Sequence, residues 1–362
     1  IVEALLKWCR RGVDGFRCDA GYMVPVAAWQ YIIAEVREQF PDTIFFLEGL
    51  GGKISVTQDL LNTAGFNWAY SELFQNYDRG QITSYLPESI DISEGEGITI
   101  HYAETHDNPR LASRSLIWAK MRTALCALCS QQGGFGFANG VEWFATEKIN
   151  VHESPGLNWH GEPNQVEHIQ RLNTILKVHP AFHDRCRIQL VEHNPGNTLL
   201  LHRHHRPTSR QLLVAANLDD TTANHIVWPA AHASLSGDVW IDLITGRETA
   251  PSKEGDSYRL DLAAGEVLCL TDAPDDLKQV LEKQSRNFDI PDRVLRQRLH
   301  AKALDVFRCY HDFGDVGKWD AAKASGLLQL DPVAFCRQQN PSSEESRVIV
   351  WEWPRDKKRE VM

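Results

Sequence analysis

Several things are scarce in this chain, and each shortage excludes something. No apolar run approaches the roughly 20 residues that a membrane-spanning helix needs. Positive charge is in deficit: 38 Lys and Arg stand against 48 Asp and Glu, a formal net charge of −10. That balance argues against nucleic acid and against an anionic membrane surface as partners. No segment repeats at a solenoid period, and no tract is of low complexity. Paired metal ligands are scarce too. The eight cysteines (Cys9, Cys18, Cys126, Cys129, Cys186, Cys269, Cys309, Cys336) are scattered through apolar contexts, as expected of buried thiols in a reducing compartment such as the cytoplasm. Cys126 and Cys129 form a C-x-x-C, but on a helix-like apolar run with no second cysteine or histidine pair at zinc spacing. "LHRHHR" (His202, His204, His205) lies on an alternating stretch without a nearby carboxylate and reads as a solvated strand face. No metal site and no cofactor is expected.

What is present is ordinary globular material. With 362 residues, 43% apolar and 24% charged, the chain holds enough for two or three domains with a sizeable core. Residues 1–185 alternate short strands with amphipathic helices: "GVDGFRCDA", "DTIFFLEGL", "FNWAYSEL", "GITIHYAETHD" and "GGFGFANGVEW" read as strands, while "VAAWQYIIAEVREQF", "SVTQDLLNTA" and "SLIWAKMRTALCALCSQ" read as helices. Alternation of that kind indicates an α/β domain on a parallel sheet. From 186 to 272 the pattern becomes short strands separated by Asn, Gly and Asp turns, which predicts an antiparallel β-sandwich. Residues 273–362 read as a helical, charged segment leading to a truncated further domain. In its last stretch "VIVWEW" looks like a first strand, and the basic run after it looks like a solvated loop.

Three acids close three of the strands: Asp19 in "GFRCDA", Glu48 in "FFLEGL" and Asp107 in "ETHDN", separated by 29 and 59 positions. A (β/α)₈ barrel of about 250 residues spends about 31 per strand–helix unit, so these gaps are close to one unit and two. All three acids then stand at the C-terminal end of a barrel sheet, where such folds build their sites. Carboxylates converging on one cleft suit glycosidic bond cleavage. One attacks the anomeric carbon, a second is kept protonated to serve the leaving oxygen, and a third supports the cationic transition state. Arg17 lies two residues before Asp19, on the same strand face, where it lowers that carboxyl's pKa. His106 is a candidate donor to sugar hydroxyls. Strand-end acids satisfied by helix N-termini are the plainer alternative, but three at unit spacing with Arg and His companions favour the chemistry.

These stretches resemble three of the short motifs of glycoside hydrolase family 13, the α-amylase family, which end strands four, five and seven of its catalytic barrel. The resemblance covers residues 1–272 approximately and implies a partial (β/α)₈ TIM barrel, strands four to eight. It implies Asp19 as nucleophile, Glu48 as general acid/base and Asp107 as transition-state stabiliser, with Arg17 and His106 as substrate-binding companions. "GGFGFANGVEW" resembles the strand-eight stretch, with Gly140 and Glu142 at its small and acidic positions. Where many α-amylases carry Lys-His after the nucleophile motif, this chain has Tyr22 and Met23, so the subsites for the leaving sugar are expected to differ. Trp68, Tyr70 and Phe74 are candidates for a sugar-stacking platform, or else core aromatics. The family's earlier Asp-x-x-x-Asn-His stretch is absent, and only 18 residues precede Asp19. The expectation is therefore an internal fragment, without the calcium site that the missing stretch normally helps to build and inactive by itself.

The implied activity is that of a retaining hydrolase or transglycosylase acting on α-1,4-linked glucan (starch, glycogen or maltodextrin) through a glycosyl-aspartate intermediate. A 4-α-glucanotransferase or maltosyltransferase of glycogen metabolism, within a debranching-type polypeptide, is the alternative. A different class, a non-catalytic glucan-binding module, predicts loss of at least one of the three acids. The oligomeric state is left open.

Overall fold

The computed structural model describes residues 1–49, 53–150, 152, 157–159, 161–285, 292–308 and 320–339. The chain divides into two compact units, 1–285 and 286–362.

The first unit begins with helix α1 (Val2–Arg10) and strand β1 (Gly15–Cys18). Then follow α2 (Val26–Gln39), β2 (Ile44–Leu47), α3 (Ile54–Asp59), β3 (Trp68–Tyr70), α4 (Arg79–Ile92), β4 (Ile98–Tyr102), α5 (Leu116–Leu128), β5 (Phe135–Gly136) and α6 (Val166–Val178). The five strands form one parallel sheet in the order β1-β2-β3-β4-β5. Because chain order and sheet order coincide, no strand reverses the winding, and right-handed crossovers put the helices on one side. That is single winding rather than doubly wound winding, which has a switch point.

Helix α2 shows why these segments choose helix. Trp29, Ile32, Ile33 and Val36 recur at i, i+3, i+4 and i+7, and Ile33 and Val36 are buried against Phe45, Leu47 and Ala69 of the sheet. Three helices, α1, α4 and α6, go unread in the sequence alternation. For α4 the reason is physical. Gly80 and Pro87 punctuate it like a loop, yet Asp78 and Gln81 form a reciprocal capping box that starts the helix.

Nine further strands make two antiparallel sheets. They are β6 (Cys186–Leu190), β7 (Thr198–His205), β8 (Arg210–Asn217), β9 (Asn224–Pro229), β10 (Trp240–Asp242), β11 (Glu248–Thr249), β12 (Ser252–Glu254), β13 (Ser257–Leu262) and β14 (Val267–Thr271). One sheet runs β11-β10-β14-β8-β7-β6 and the other β12-β13-β9. Leu200, Leu213, Trp228, Trp240 and Tyr258 fill the space between them. The other face of the larger sheet, through Leu199, Leu201, Leu212 and Val214, belongs to the same core as Leu125 and Leu128 of α5.

A buried arginine joins the two regions. Arg203 donates to the carbonyls of Leu128 and Ser130, each at 2.9 Å, and of Ala181 at 3.0 Å, with its guanidinium 4.1 Å above the Phe182 ring. It lies between His202 and His204, which are half-buried with stacked rings, whereas Arg203 and His205 are buried. The expected solvated face thus holds in part for His202 and His204 but not for His205, because β7 is buried on both faces up to Leu201 and burial alternates only over its last four residues. Helix α7 (Pro274–Ser285), placed by sequence in the last segment, is tied to the first unit. There Asp276 accepts from Thr271 at 2.6 Å and meets His179 at 3.2 Å.

The second unit contains α8 (Asp292–Arg308), α9 (Ala321–Leu330) and α10 (Pro332–Gln339), with the Asp320 side chain capping α9. "VIVWEW" and the basic run lie outside the described residues.

Candidate active site

Asp19 leaves the C-terminal end of β1 on an exposed turn, its side chain 79% exposed. Arg17, two residues back on the same face, pairs directly with the Asp19 carboxylate, and its other terminal nitrogen lies 3.6 Å from Glu48 Oε2. One guanidinium therefore faces both carboxylates. The hydrogen bond to Arg17 is the largest of the effects that hold the Asp19 carboxyl below the ordinary carboxylate range, and Glu48 and His106 act in the same direction. Glu48 sits deeper, 17% exposed, and accepts from the Ala20 backbone N–H at 2.6 Å. That contact stitches the end of β2 to a strained turn. Ala20 is left-handed, φ 43° and ψ 36°, a conformation that costs a non-glycine residue on the order of 1 kcal/mol.

Beneath the carboxylates lies an aromatic floor. The register puts Arg17, Phe46 and Trp68 side by side across β1, β2 and β3. The Arg17 guanidinium lies 5.5 Å from the Tyr70 ring centroid, and Tyr70 is tilted against Tyr102 at 4.6 Å and meets Phe46 edge-on at 4.8 Å. Burial pushes the Tyr102 hydroxyl well above its ordinary pKa, so it stays protonated.

Asp107 occupies the loop after β4 and is 69% exposed, with His106 Nε2 at 3.4 Å from Oδ2. His106 links the two halves, since it pairs with Asp107 and favours the ionised form of Asp19. The loop is held at its base by Glu104 and Arg110, a buried ion pair. Burial raises the pKa of Glu104, with Arg110 opposing that shift. On the loop after β5, Glu142 Oε2 accepts from the Gly140 N–H at 2.9 Å.

The sequence candidates thus fall into two sets. Asp19, Glu48, Arg17 and Tyr70 are joined directly, and His106 brings Asp107 to them. Met23 follows closely on an exposed 3-10 turn, whereas Tyr22 on that turn leans onto the core behind the sheet. Trp68 opens β3, so its ring lies a layer below the carboxylates, edge-on to Phe46 at 5.9 Å. Phe74 is buried and belongs to the core. Sequence reasoning missed Tyr102, Glu104 and Arg110. The signal was present: an aromatic at an inward position of "ITIHYAE", and an acid and a base placed symmetrically about Asp107 in "ETHDNPR". Among the described residues no three His, Cys, Asp or Glu gather closely enough to hold a metal ion. Nor, among the described residues, is any helix long and apolar enough to cross a membrane.

A parallel sheet wound in chain order, with carboxylates at its C-terminal edge and an antiparallel sandwich after it, defines an α-amylase-type fold, and solved structures agree. A maltogenic α-amylase from Thermotoga neapolitana superposes with a TM-score of 0.60 at 16% identity, over 74% of this chain and 65% of that one. A γ-cyclodextrin glucanotransferase from an alkalophilic bacillus gives 0.60 at 19% identity, over 74% and 42%. Curated relatives include an α-1,4-glucan:maltose-1-phosphate maltosyltransferase from Pseudomonas aeruginosa, 26% identical over 67% of this chain, and one from Rhodospirillum rubrum, 22% identical over 67%. The chain spans only 39% and 35% of the length of these two relatives. No protein-family model matches it. The motifs thus resemble those of glycoside hydrolase family 13, and the proteins that the chain is similar to carry α-amylase or maltosyltransferase names.

Proposed function

We propose that this chain carries the reacting carboxylates of a retaining α-glucan-active enzyme, and that the enzyme transfers rather than hydrolyses. The observation that carries the reading is the single guanidinium of Arg17 facing both Asp19 and Glu48. An ionised Asp19 attacks the anomeric carbon as the bond to the leaving oxygen breaks, and Glu48 delivers the proton that this oxygen needs. The product is a glycosyl ester of Asp19. In the second half, Glu48 takes the proton of an incoming hydroxyl, which attacks the same carbon and frees Asp19. Asp107 supports the positive charge that builds on the sugar in both halves, and His106 and Tyr70 stand ready for its hydroxyls and its apolar face. Met23, exposed beside Asp19, contacts the leaving or accepting sugar.

Transfer is favoured because the curated relatives are maltosyltransferases by name. The donor is then maltose 1-phosphate or a maltooligosaccharide, the acceptor an α-1,4-glucan, and the place glycogen metabolism. Unpaired cysteines fit a cytoplasmic setting: seven of the eight are described, and none of those is in a disulfide. In this reading β1–β5 are strands four to eight of a (β/α)₈ barrel, with residues 1–185 its catalytic part, 186–272 the sandwich and 273–362 a helical segment. Product analysis decides. The intact protein given maltoheptaose, alone and with maltose 1-phosphate, yields longer oligosaccharides if it transfers. Glucose and maltose alone make it a hydrolase, and no turnover with either donor refutes the reading.

A further inference from the structure

Glu104 and Arg110 stand at the two ends of the loop that carries His106 and Asp107, with side chains 2% and 0% exposed. One Glu104 oxygen accepts from Arg110 Nη1 at 2.5 Å and the other from the Leu111 N–H at 2.7 Å. A single carboxylate at the end of β4 thus gathers the far end of the loop. The guanidinium reaches onward, donating through Nε to the carbonyl of Glu147 at 3.1 Å, on the segment after β5. Its remaining nitrogen, Nη2, is buried without a hydrogen-bond partner and lies against Gly140, where an added Cβ would stand at 2.9 Å. Gly140 has φ +100°, so both the backbone and the guanidinium disfavour a side chain there.

A buried ion pair of this kind is a weak source of stability. Desolvation consumes most of its attraction, and apolar residues of similar volume often do as well. Its location is better explained by what it holds. Asp107 has only slight holds of its own: its N–H reaches Thr105 Oγ1 at 3.4 Å, and its carboxylate reaches His106 at 3.4 Å. We propose that Glu104 and Arg110 are a buried clamp that positions Asp107 for turnover, seated against a Gly140 that must stay without a side chain. The proposal rests on the reading of Asp107 as the third reacting carboxylate, and the experiment separates the two.

Four variants of the intact protein are compared with the parent: Asp107→Asn, Glu104→Met with Arg110→Met, Glu104→Gln, and Gly140→Ala. Turnover of maltoheptaose, thermal midpoint and hydrogen exchange of residues 105–109 are read for each. The apolar pair keeps its melting temperature, exchanges faster over 105–109 and loses roughly 30- to 100-fold in kcat with KM within about threefold, as expected of a carboxylate displaced by about 1 Å. Gly140→Ala changes in the same direction by less. A merely structural pair would leave the apolar variant both stable and active, and that result overturns the proposal, as does unchanged exchange over 105–109. Should the apolar pair fail to fold, Glu104→Gln carries the test. It keeps an acceptor for Leu111 but no charge for Arg110, so parental kcat in that variant overturns the clamp. Parental turnover in Asp107→Asn overturns the reading of Asp107 itself. Loss there, with parental turnover in the apolar pair, overturns the clamp alone.

Discussion

The parallel sheet and the larger antiparallel sheet bury their two faces in different ways. Both faces of β7 and β8 are covered: Leu199 and Leu201 face the helices, Leu200 and Leu213 face the smaller sheet, and all four are buried. The parallel sheet is covered fully on one face and only in part on the other, where Ile100 is buried. Phe45, Leu47 and Ala69 are buried behind it, while Phe46, Trp68, Tyr70 and Tyr102 on the other face stay partly open. At about 1.5–3 kcal/mol for each fully buried large apolar side chain, the sandwich is where burial stabilises most. The carboxylates proposed to react stand on the other sheet, at strand ends and loops held by hydrogen bonds and charge. Stability and chemistry are thus drawn from different surfaces, and each can be perturbed without the other.

The largest expected effect lies on the chemical side. Asp19→Asn removes the nucleophile and lowers turnover of maltoheptaose on the order of 10⁴-fold, while the melting temperature stays unchanged because the side chain is exposed. Arg17→Met is the second break, at about 10²-fold. It also tests the electrostatics. Arg17 holds the Asp19 pKa below its ordinary value, so the wild-type nucleophile stays ionised as pH falls through that value. Without Arg17 the folded pKa rises, and the acidic limb of kcat/KM must move to higher pH, read as a full pH–rate profile.

On the stabilising side, Trp240→Ala is expected to cost about 3–5 kcal/mol by denaturant unfolding, since Trp240 is fully buried between the sheets against Trp228 and Tyr258. The folded fraction must keep parental turnover. The smallest effect sharpens the comparison from within the parallel sheet. Trp68→Ala exposes only part of an already open ring, so about 1 kcal/mol is lost, and KM stays unchanged because the ring lies below the site. A raised KM would return Trp68 to the sugar platform.

How much of this was legible depended on whether the signal was local. Arg17 and Asp19 lie two apart on a strand, so their pairing follows from strand geometry alone. The unit spacing of Asp19, Glu48 and Asp107 made the parallel sheet and the strand-end position readable. Burial and depth were not readable. "FNWAYSEL" does not disclose that Trp68 begins the strand rather than ends it, nor that Phe74 turns into the core. "ETHDNPR" shows an acid and a base six residues apart, but only the folded chain makes them a buried pair across the base of a loop. Helix α4 stayed hidden because Gly80 and Pro87 outweigh, in a linear reading, a capping box whose bonds exist only once the helix has formed.

The central claim is that Asp19 takes the sugar. The most direct measurement incubates the intact protein, with Glu48→Gln to slow release, with a maltosyl fluoride donor, and then maps the labelled peptide by mass spectrometry. The account predicts one maltosyl adduct per chain, on Asp19. A label on Glu48 or Asp107, or no adduct although donor is consumed at the parental rate, would contradict it.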